Sequence, residues 1–397
     1  MQDNIIKGRF GLPSDLNKIL VWALLLRIIL FFIVINSADP FIISDDRAYE
    51  EISKTYLQFA NGLWDWNAVI DTGGAGYLQV FWPYTICVFA KLFQTEYAGR
   101  ILNIILSVLI IIQTYKLTYS ITGKHERATF AAKLMAFLPY PLMFCVFNIK
   151  DFYIMLGTLY SFRLLVSWQV GETIKARQIV LCLSMLVGVY FARGGVVEFI
   201  GLVAGLFVAS RFYKEKKYSY LALSGVVAIV GLFYMWDNIQ AAFDMKLENT
   251  DGVAGLANGL RMVQMQNPTE IYKIPLQYLF SMLSPFSLDY FGWTSDFSWS
   301  RLMGVLNVSL YPIAFGSLFY LFMRKHNTLF YYATFAVYIA ITAMVLAISR
   351  HYFFLFFIHA VNFACFWDKD NKQAKKAIWA CSAVLFVLVF ILSLKGM

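Results

Sequence analysis

Long apolar runs separated by short polar connectors dominate the pattern of this chain. The runs are continuous and about 15–22 residues long, which is typical of membrane-spanning helices and not of the alternating segments of about ten residues in a membrane β-barrel. The run after Lys18 lacks a small-residue cleavage site, so we expect a retained span there and not a cleaved signal. The predicted spans cover approximately residues 19–37, 99–118, 128–147, 152–168, 178–192, 195–210, 219–236, 302–323, 329–348, 351–367 and 377–394.

One further apolar segment, 77–93 with Pro83 in its middle, decides the orientation of everything that follows it. If it does not cross and the N-terminus is cytoplasmic, fourteen Lys and Arg residues fall in cytoplasmic loops. If it crosses, all fourteen move outside, against the positive-inside rule. We therefore predict an all-α polytopic membrane protein with about eleven spans, N-terminus inside and C-terminus outside. Segment 77–93 is then a juxtamembrane or partly embedded helix on the outer face.

This topology places two long loops on the outer face of a single membrane domain covering residues 1–397. The first loop, 38–98, carries eight acidic and three basic residues. Its Trp64, Trp66 and Trp82 are typical of amphipathic helices at the lipid headgroups. The second loop, 237–300, is rich in Gly and Asn and then in aromatic residues. Loops of this length usually have a function.

Composition agrees with this class and excludes others. The chain is 60% hydrophobic and only 14% charged, with a mean hydropathy of +0.62, whereas soluble domains are about 25% charged. The net charge of +9 does not indicate nucleic-acid binding, because the basic residues sit in short clusters between spans. The five cysteines lie in apolar segments at unrelated spacings, which favours packing roles over disulfides or metal ligation.

Ionisable residues gather at the predicted outer boundary, where a bilayer makes charge costly. Each has a simple structural interpretation: a cation can snorkel to lipid phosphate, an aspartate can cap a helix, and a histidine can pack among aromatic residues. Their convergence on one face favours a functional site instead. Spans 178–192 and 195–210 are also short, so their connecting arginine is expected to lie below the headgroups. The residues concerned are Asp45, Asp46, Lys150, Asp151, Arg193, Arg350 and His351.

This combination suits one chemistry. A substrate linked to lipid phosphate presents an anion at headgroup depth, which Arg and Lys can hold and stabilise as a leaving group. A nearby carboxylate can take the proton of an acceptor hydroxyl. The sequence contains no phosphate-binding Gly-rich loop and no His/Cys metal constellation. The motif DKD at 368–370 lies in a Lys-rich cytoplasmic loop and is interpreted as a solvated turn.

Four motifs in order resemble the GT-C glycosyltransferases, in the branch of protein O-mannosyltransferases and lipid A aminoarabinose transferases. These enzymes carry Asp-Glu-x-x-Tyr-x-x-Ile after span one, then Gly-x-Trp, an amphipathic outer helix, and Glu-x-Ala-x-Arg opening span two. The resemblance covers roughly residues 20–170. Two features depart from it: DTGGAGYL stands where the family has Lys-Pro-Pro, and the family's frequent soluble C-terminal domain has no counterpart here. The matching stretches are DDRAYEEIS (45–53), NGLWDW (61–66), YLQVFWPYTICVFAKLF (77–93) and TEYAGRILNIIL (95–106).

The resemblance implies transfer of a sugar from a polyprenyl-phosphate donor to a hydroxyl of a glycan, lipid or protein on the outer face. It places Asp45 on the family's catalytic aspartate, Asp46 on its acidic neighbour, Tyr49 on the motif tyrosine and Asp151 on a second acidic position. We expect Asp45, with or without Asp46, to act as the general base, and Asp151 to position the acceptor or a divalent cation.

The phosphate is expected to be held by Arg193, Arg350 and Lys150, assisted by His351, with Tyr49 among the substrate-binding residues. A bacterial plasma membrane is the expected location, with the site on its extracytoplasmic face. No nucleotide-binding loop is needed, because the activated donor is already in the membrane, and the need for a cofactor such as a divalent cation is left open.

Three other functions stay open at this level. A surface-polysaccharide polymerase of the O-antigen or capsule type would also need basic residues that bind the phosphate of a lipid-linked substrate on the outer face. A transporter or flippase for lipid-linked sugar predicts inverted repeats and charge deep within spans, for which only Lys133 and Glu198 are noted. A structural scaffold would give no reason for the outer ionic residues.

Overall fold

The structure is a computed structural model. It describes residues 13–42, 44–71, 80–193 and 196–220 continuously, most of 222–236, residues 353–367, and short stretches or single residues within 270–317 and 375–387. The predicted spans 302–323, 329–348 and 377–394 and the second long loop therefore lie wholly or largely outside the described residues.

Helices form nearly all the regular structure of this part of the chain. Three of them are long and apolar enough to cross a bilayer: Ser14–Ile35, Ala98–Thr122 and Val196–Tyr213. This confirms an all-helical integral membrane protein, while the number of eleven spans stays a prediction. The described helices are α1 Ser14–Ile35, α2 Ser44–Phe59, α3 Trp66–Asp71, α4 Phe81–Phe93, α5 Ala98–Thr122, α6 His125–Phe137, α7 Pro139–Phe144, α8 Asp151–Gln169, α9 Ala176–Ala192, α10 Val196–Lys214 and α11 Phe356–Phe366.

Helices α5 and α8 form the centre of the bundle. Helix α5 packs against α6, α8, α1, α4 and α11, while α8 also packs against α9 and α10. Most of α8 is buried, from Asp151 to Ser167. By contrast, α1 is peripheral: its buried positions recur at helical spacing from Leu16 to Val34, and its other face exposes large apolar side chains such as Trp22 and Phe32. That face is suited to contact lipid.

The ambiguous segment 77–93 contains α4, whose 13 residues span only about 20 Å. This is shorter than the roughly 30 Å of a bilayer core, which favours the interpretation of α4 as a helix that does not cross. It buries Trp82, Ile86, Cys87 and Ala90 and packs against α2, α5 and α9. A helix is thus present within 77–93, over a shorter range than the segment, and its position on the outer face stays a prediction.

The predicted span 128–147 is not one continuous helix, because the chain breaks between α6 and α7; its crossing of the membrane stays a prediction. Leu138 is extended (φ −60°, ψ 132°), as expected for a residue that precedes proline. Pro139 has no N–H, so the carbonyl of Met135 cannot receive the usual helical hydrogen bond. Arg27 of α1 supplies donors instead: Nη2 lies 3.3 Å from the Met135 oxygen and Nη1 lies 3.0 Å from the Ala136 oxygen.

The interpretation of Lys133 and Glu198 as the notable in-span charges is also corrected. Lys133 is exposed on α6 and Glu198 lies in the first turn of α10. Arg27, Lys116 and Arg163, which lie inside predicted spans, were overlooked. Arg27 is only 1% exposed and its hydrogen bonds to backbone carbonyls and to Ser107 (2.8 Å) indicate a structural role, not a transport path.

Candidate active site

The two adjacent aspartates lie in the first turn of α2, which begins at Ser44. The free N–H groups and dipole of a helix N-terminus favour negative charge there. The helix separates the two environments: Asp46 is completely buried, whereas Asp45 is partly exposed. Adjacent carboxylates therefore differ in what can reach them.

The Asp46 carboxylate ties α2 to a distant segment of the chain. Its Oδ2 accepts a hydrogen bond from the Ile42 N–H (3.2 Å), and its Oδ1 accepts one from the Asn148 N–H (2.7 Å). The guanidinium of Arg100, at the start of α5, lies 3.5 Å from the same Oδ1. Buried charge of this kind is tolerated when it is paired and hydrogen-bonded.

Arg100 joins two carboxylates of α2. Glu50 lies one helical turn after Asp46, on the same face, and accepts a hydrogen bond from Arg100 Nε. Arg100 Nη1 also donates to the Val146 carbonyl (3.2 Å). The rings of Phe41 and Phe147 lie 5.4 and 5.8 Å from the guanidinium carbon. Arg100 is 0% exposed, so water does not reach the guanidinium of this ion cluster.

Burial raises the pKa of Glu50 above its ordinary value of 4.5, because an ionised carboxylate loses its hydration there. The charge and hydrogen bond of Arg100 act in the opposite direction, and the negative charges of Asp46 and Glu96 raise this pKa further. One guanidinium thus serves two carboxylates, and the pKa of Glu50 stays above its ordinary value despite the presence of Arg100.

An irregular segment between α7 and α8, residues 145–150, is buried throughout. Irregular backbone at membrane depth needs partners for its polar groups, and side chains supply them. Asn103 of α5 donates to the Phe147 and Ile149 carbonyls, both at 2.7 Å. Trp82 of α4 donates to the Asn148 side-chain oxygen (3.2 Å). The segment is therefore fixed by α2, α4 and α5 together.

Gly99 makes the close approach of Asn148 to α5 possible. A Cβ at position 99 would lie 2.0 Å from Asn148 Oδ1 and 2.4 Å from its Cγ. Any other residue would displace this side chain, and with it the segment that leads into α8.

The second acidic position, Asp151, begins α8 and is completely buried. Its Oδ1 lies 3.2 Å from Nη2 of Arg193, which directly follows α9 as its C-cap. The Arg193 side chain keeps 24% of its surface exposed and its guanidinium lies over the Phe354 ring at 5.7 Å. Asp151 is three positions after Asn148, so their Cα atoms are at most about 11 Å apart. The two ionic groups therefore belong to one region.

Three other sequence-predicted or noted residues lie around this region. Lys150 precedes Asp151 and is 6% exposed. Tyr49, proposed for substrate binding, is 7% exposed and packed in the apolar core. Glu198 has one buried carboxyl oxygen without a hydrogen-bond partner. Arg350 and His351 lie outside the described residues, so their predicted roles stay predictions.

Four side chains of the site were missed by the sequence reading: Glu50, Arg100, Asn103 and Asn148. A signal existed for Arg100, because it closes the Glu-x-Ala-x-Arg pattern within TEYAGR. The spacing of Asp46 and Glu50 also placed both on one helix face. Neither asparagine could have been identified from local pattern, because their partners lie far along the chain. Asn103 donates to backbone carbonyls of segment 145–150, and Asn148 bonds to the side chains of Trp82 and Asp46.

Metal ligation has no direct support in the part of the chain that the structure describes. There, no group of three or more His, Cys, Asp and Glu side chains is arranged to hold a metal ion. Asp46 and Glu50 instead face Arg100, and Asp151 faces Arg193.

Comparisons with known proteins give one structural similarity. No protein-family model matches the chain, and no curated protein matches it. Among solved structures, the chain is similar to the archaeal oligosaccharyltransferase AglB from Archaeoglobus fulgidus, determined in complex with an inhibitory peptide and a dolichol-phosphate. The identity is 14% and the TM-score is 0.47, over 97% of this chain and 54% of AglB. The chain thus spans about half the length of that protein.

Proposed function

We propose that this protein transfers a sugar from a polyprenyl-phosphate donor to a hydroxyl acceptor at the membrane surface, with Asp45 as the general base. The observation that carries the proposal is the juxtaposition at one end of the bundle. A partly exposed carboxylate, Asp45, adjoins the anchored Asp46, and the segment 148–151 connects Asp46 to the Asp151–Arg193 ion pair. The ordered motifs that resemble GT-C glycosyltransferases support the same assignment.

Burial divides the roles of the two adjacent aspartates. Asp46 receives two backbone N–H groups and faces Arg100, and its complete burial keeps a substrate hydroxyl away from it. Asp46 is therefore proposed as a positioning residue. Asp45 is partly exposed at the same helix terminus, where an acceptor hydroxyl can approach it. A positioned base of this kind contributes typically 10²–10⁴-fold to a rate.

Arg193 is proposed to bind the phosphate of the donor. One of its N–H groups faces Asp151, and a guanidinium has five N–H donors in a planar fork that matches phosphate. Asp151 is then a positioning residue that fixes the orientation of Arg193. Lys150 precedes this pair in the chain and is proposed as a second phosphate contact, with Arg350 and His351 completing the group.

The proposed step is a single displacement. The acceptor O–H gives its proton to the Asp45 carboxylate while its oxygen forms a bond to the anomeric carbon. The bond between that carbon and the phosphate oxygen breaks, and its electron pair leaves with the polyprenyl phosphate. Attack opposite to the leaving group inverts the anomeric configuration. Arg193 and Lys150 stabilise the negative charge that develops on the phosphate.

The proposal extends to the location and the partners. The positive-inside pattern supports an extracytoplasmic site, and a bacterial plasma membrane is the proposed membrane. The donor enters laterally from the lipid, and the acceptor is a glycan, a lipid or a protein. A divalent cation near Asp151 would add positive charge at the phosphate and is proposed as an optional component.

The test is transfer by purified full-length protein in liposomes that contain a radiolabelled polyprenyl-phosphate hexose, with cell-envelope extract as the source of acceptor. We expect release of polyprenyl phosphate together with label in a product carrying one added sugar. Long labelled chains would indicate a polymerase instead. Movement of intact donor between leaflets, without a covalent product, would indicate a transporter and contradict the proposal.

A further inference from the structure

Two cations lie together at the end of the bundle opposite the candidate site. Helices α5 and α8 both start at that site, with Arg100 and Asp151 in their first turns. Lys116 lies six residues before the end of α5, and Arg163 lies six residues before the end of α8. Each is thus about 9 Å inside its helix end. The helices pack side by side. Arg163 donates a hydrogen bond to Gln113, which lies one helical turn before Lys116 on α5, so both cations lie at this helix contact.

Neighbouring side chains hold Arg163 in a fixed orientation. Its Nη1 donates to the side-chain oxygen of Gln113, on α5. Its guanidinium carbon lies 5.2 Å from the centre of the Tyr160 ring. Arg163 and Lys116 are both only partly exposed. Two neighbouring positive charges that are partly removed from water raise the free energy of the folded protein, and a bound anion would lower it.

The nearby protein carboxylates do not neutralise this pair. Within the described ranges, no Asp or Glu oxygen forms an ion pair with Lys116 or Arg163. Glu172, three residues after the end of α8, is a nearby carboxylate in the sequence. Its carboxylate, however, accepts hydrogen bonds from Ser120 (3.1 Å) and Ser167, and it is exposed to solvent. The pair therefore presents excess positive charge.

An exposed apolar stripe on α5 leads to Lys116. Ile101, Ile105 and Leu109 recur every four residues and are 40%, 49% and 39% exposed. At about 100° per residue, Lys116 falls within the arc that these three side chains occupy. A free phosphate ion would gain nothing from contact with these apolar side chains, whereas the acyl chain of a lipid could pack along them.

We propose that the phosphate of an anionic phospholipid binds between Lys116 and Arg163, with an acyl chain along the α5 stripe. The site lies on the membrane face opposite the candidate active site, which is the cytoplasmic face in the predicted topology. Basic groups between helices at this depth suit anionic headgroups. The assignment is independent of the transfer reaction.

The test measures lipid retention by delipidated full-length protein in detergent, using native mass spectrometry and thermal melting with phosphatidylglycerol, phosphatidylcholine or inorganic phosphate. We expect phosphatidylglycerol to be retained and to raise Tm, with little effect of the other two. Lys116→Gln/Arg163→Gln should weaken retention by about tenfold to thirtyfold. Equal protection by inorganic phosphate would overturn the lipid assignment.

The control is Lys124→Gln/Arg177→Gln, which removes two exposed cations from the same end of the bundle. This control variant should retain phosphatidylglycerol as the wild type does. If it loses as much lipid as Lys116→Gln/Arg163→Gln does, the effect comes from general surface charge, which would contradict a defined site. If the double variant at the site does not fold, Lys116→Gln alone should still weaken retention, while Lys116→Arg should preserve it. Unchanged retention in Lys116→Gln would overturn the proposal.

Discussion

The carboxylate of Asp46 accepts a 2.7 Å hydrogen bond from the backbone N–H of Asn148, a residue 102 positions further along the chain. This bond fixes the start of α2 against the segment that leads into α8. Because Asp45 precedes Asp46 and Asp151 follows Asn148 by three residues, the bond brings together the two acidic positions that the sequence predicted for the site.

Replacing Arg100 by Leu should destabilise the protein strongly. The change leaves the buried carboxylates of Asp46 and Glu50 without their shared cation, and removal of one partner from a buried ion group costs about 3–5 kcal/mol. Thermal melting in detergent measures the effect. Arg47→Leu is the matched control, because Arg47 pairs with Asp39 at the surface and its loss should change Tm little. Equal Tm values for the two variants would contradict the structural importance of the cluster.

Gly99→Ala should displace Asn148 and the segment around it. A methyl group there would lie 2.0 Å from Asn148 Oδ1, and overpacking of this kind costs about 1–3 kcal/mol. Activity should fall along with Tm. Gly201→Ala, in α10, serves as control because nothing lies within 4 Å of its added Cβ. If Asn148→Ala does not relieve the defect of Gly99→Ala, the proposed clash is not its cause.

Arg27→Met should destabilise the protein at the break between α6 and α7. The Met135 and Ala136 carbonyls would lose their donors in a buried setting, at about 1–3 kcal/mol for each unsatisfied group. Lys133→Met, exposed on α6, should be nearly neutral. Since Pro139 creates the need for Arg27, Pro139→Ala should cost less stability in the Arg27→Met background than in the wild type. Strictly additive changes in Tm would argue against this coupling.

Stability should depend on pH through Glu50. A carboxyl group whose pKa is raised on folding favours the folded state most at low pH, and this contribution is lost as pH rises above the ordinary value of 4.5 through the folded pKa. The Tm of the wild type should therefore fall relative to that of Glu50→Gln as pH rises above 4.5. A pH series of melting curves for both proteins measures this. A wild type that gains Tm relative to Glu50→Gln over that range would contradict a raised pKa.

The sequence predicted those features that local pattern determines. Apolar runs predicted α1, α5 and the short helix α4, and the acidic pair marked the start of α2. The different environments of Asp45 and Asp46 could not be predicted, because they depend on which side of the helix meets Asn148. Arg27 was overlooked for a similar reason: within an apolar run, only the three-dimensional structure reveals that Pro139 leaves carbonyls for it to bind.

The most direct test of the account is transfer by Asp45→Asn in the liposome assay with radiolabelled polyprenyl-phosphate hexose. Asparagine keeps the shape of the side chain but cannot accept the hydroxyl proton, so transfer should fall by about 10²–10⁴-fold while Tm stays close to the wild-type value. Arg47→Gln, two residues along the same helix and exposed, should retain activity. Transfer by Asp45→Asn at the wild-type rate would contradict the assignment of Asp45 as the base.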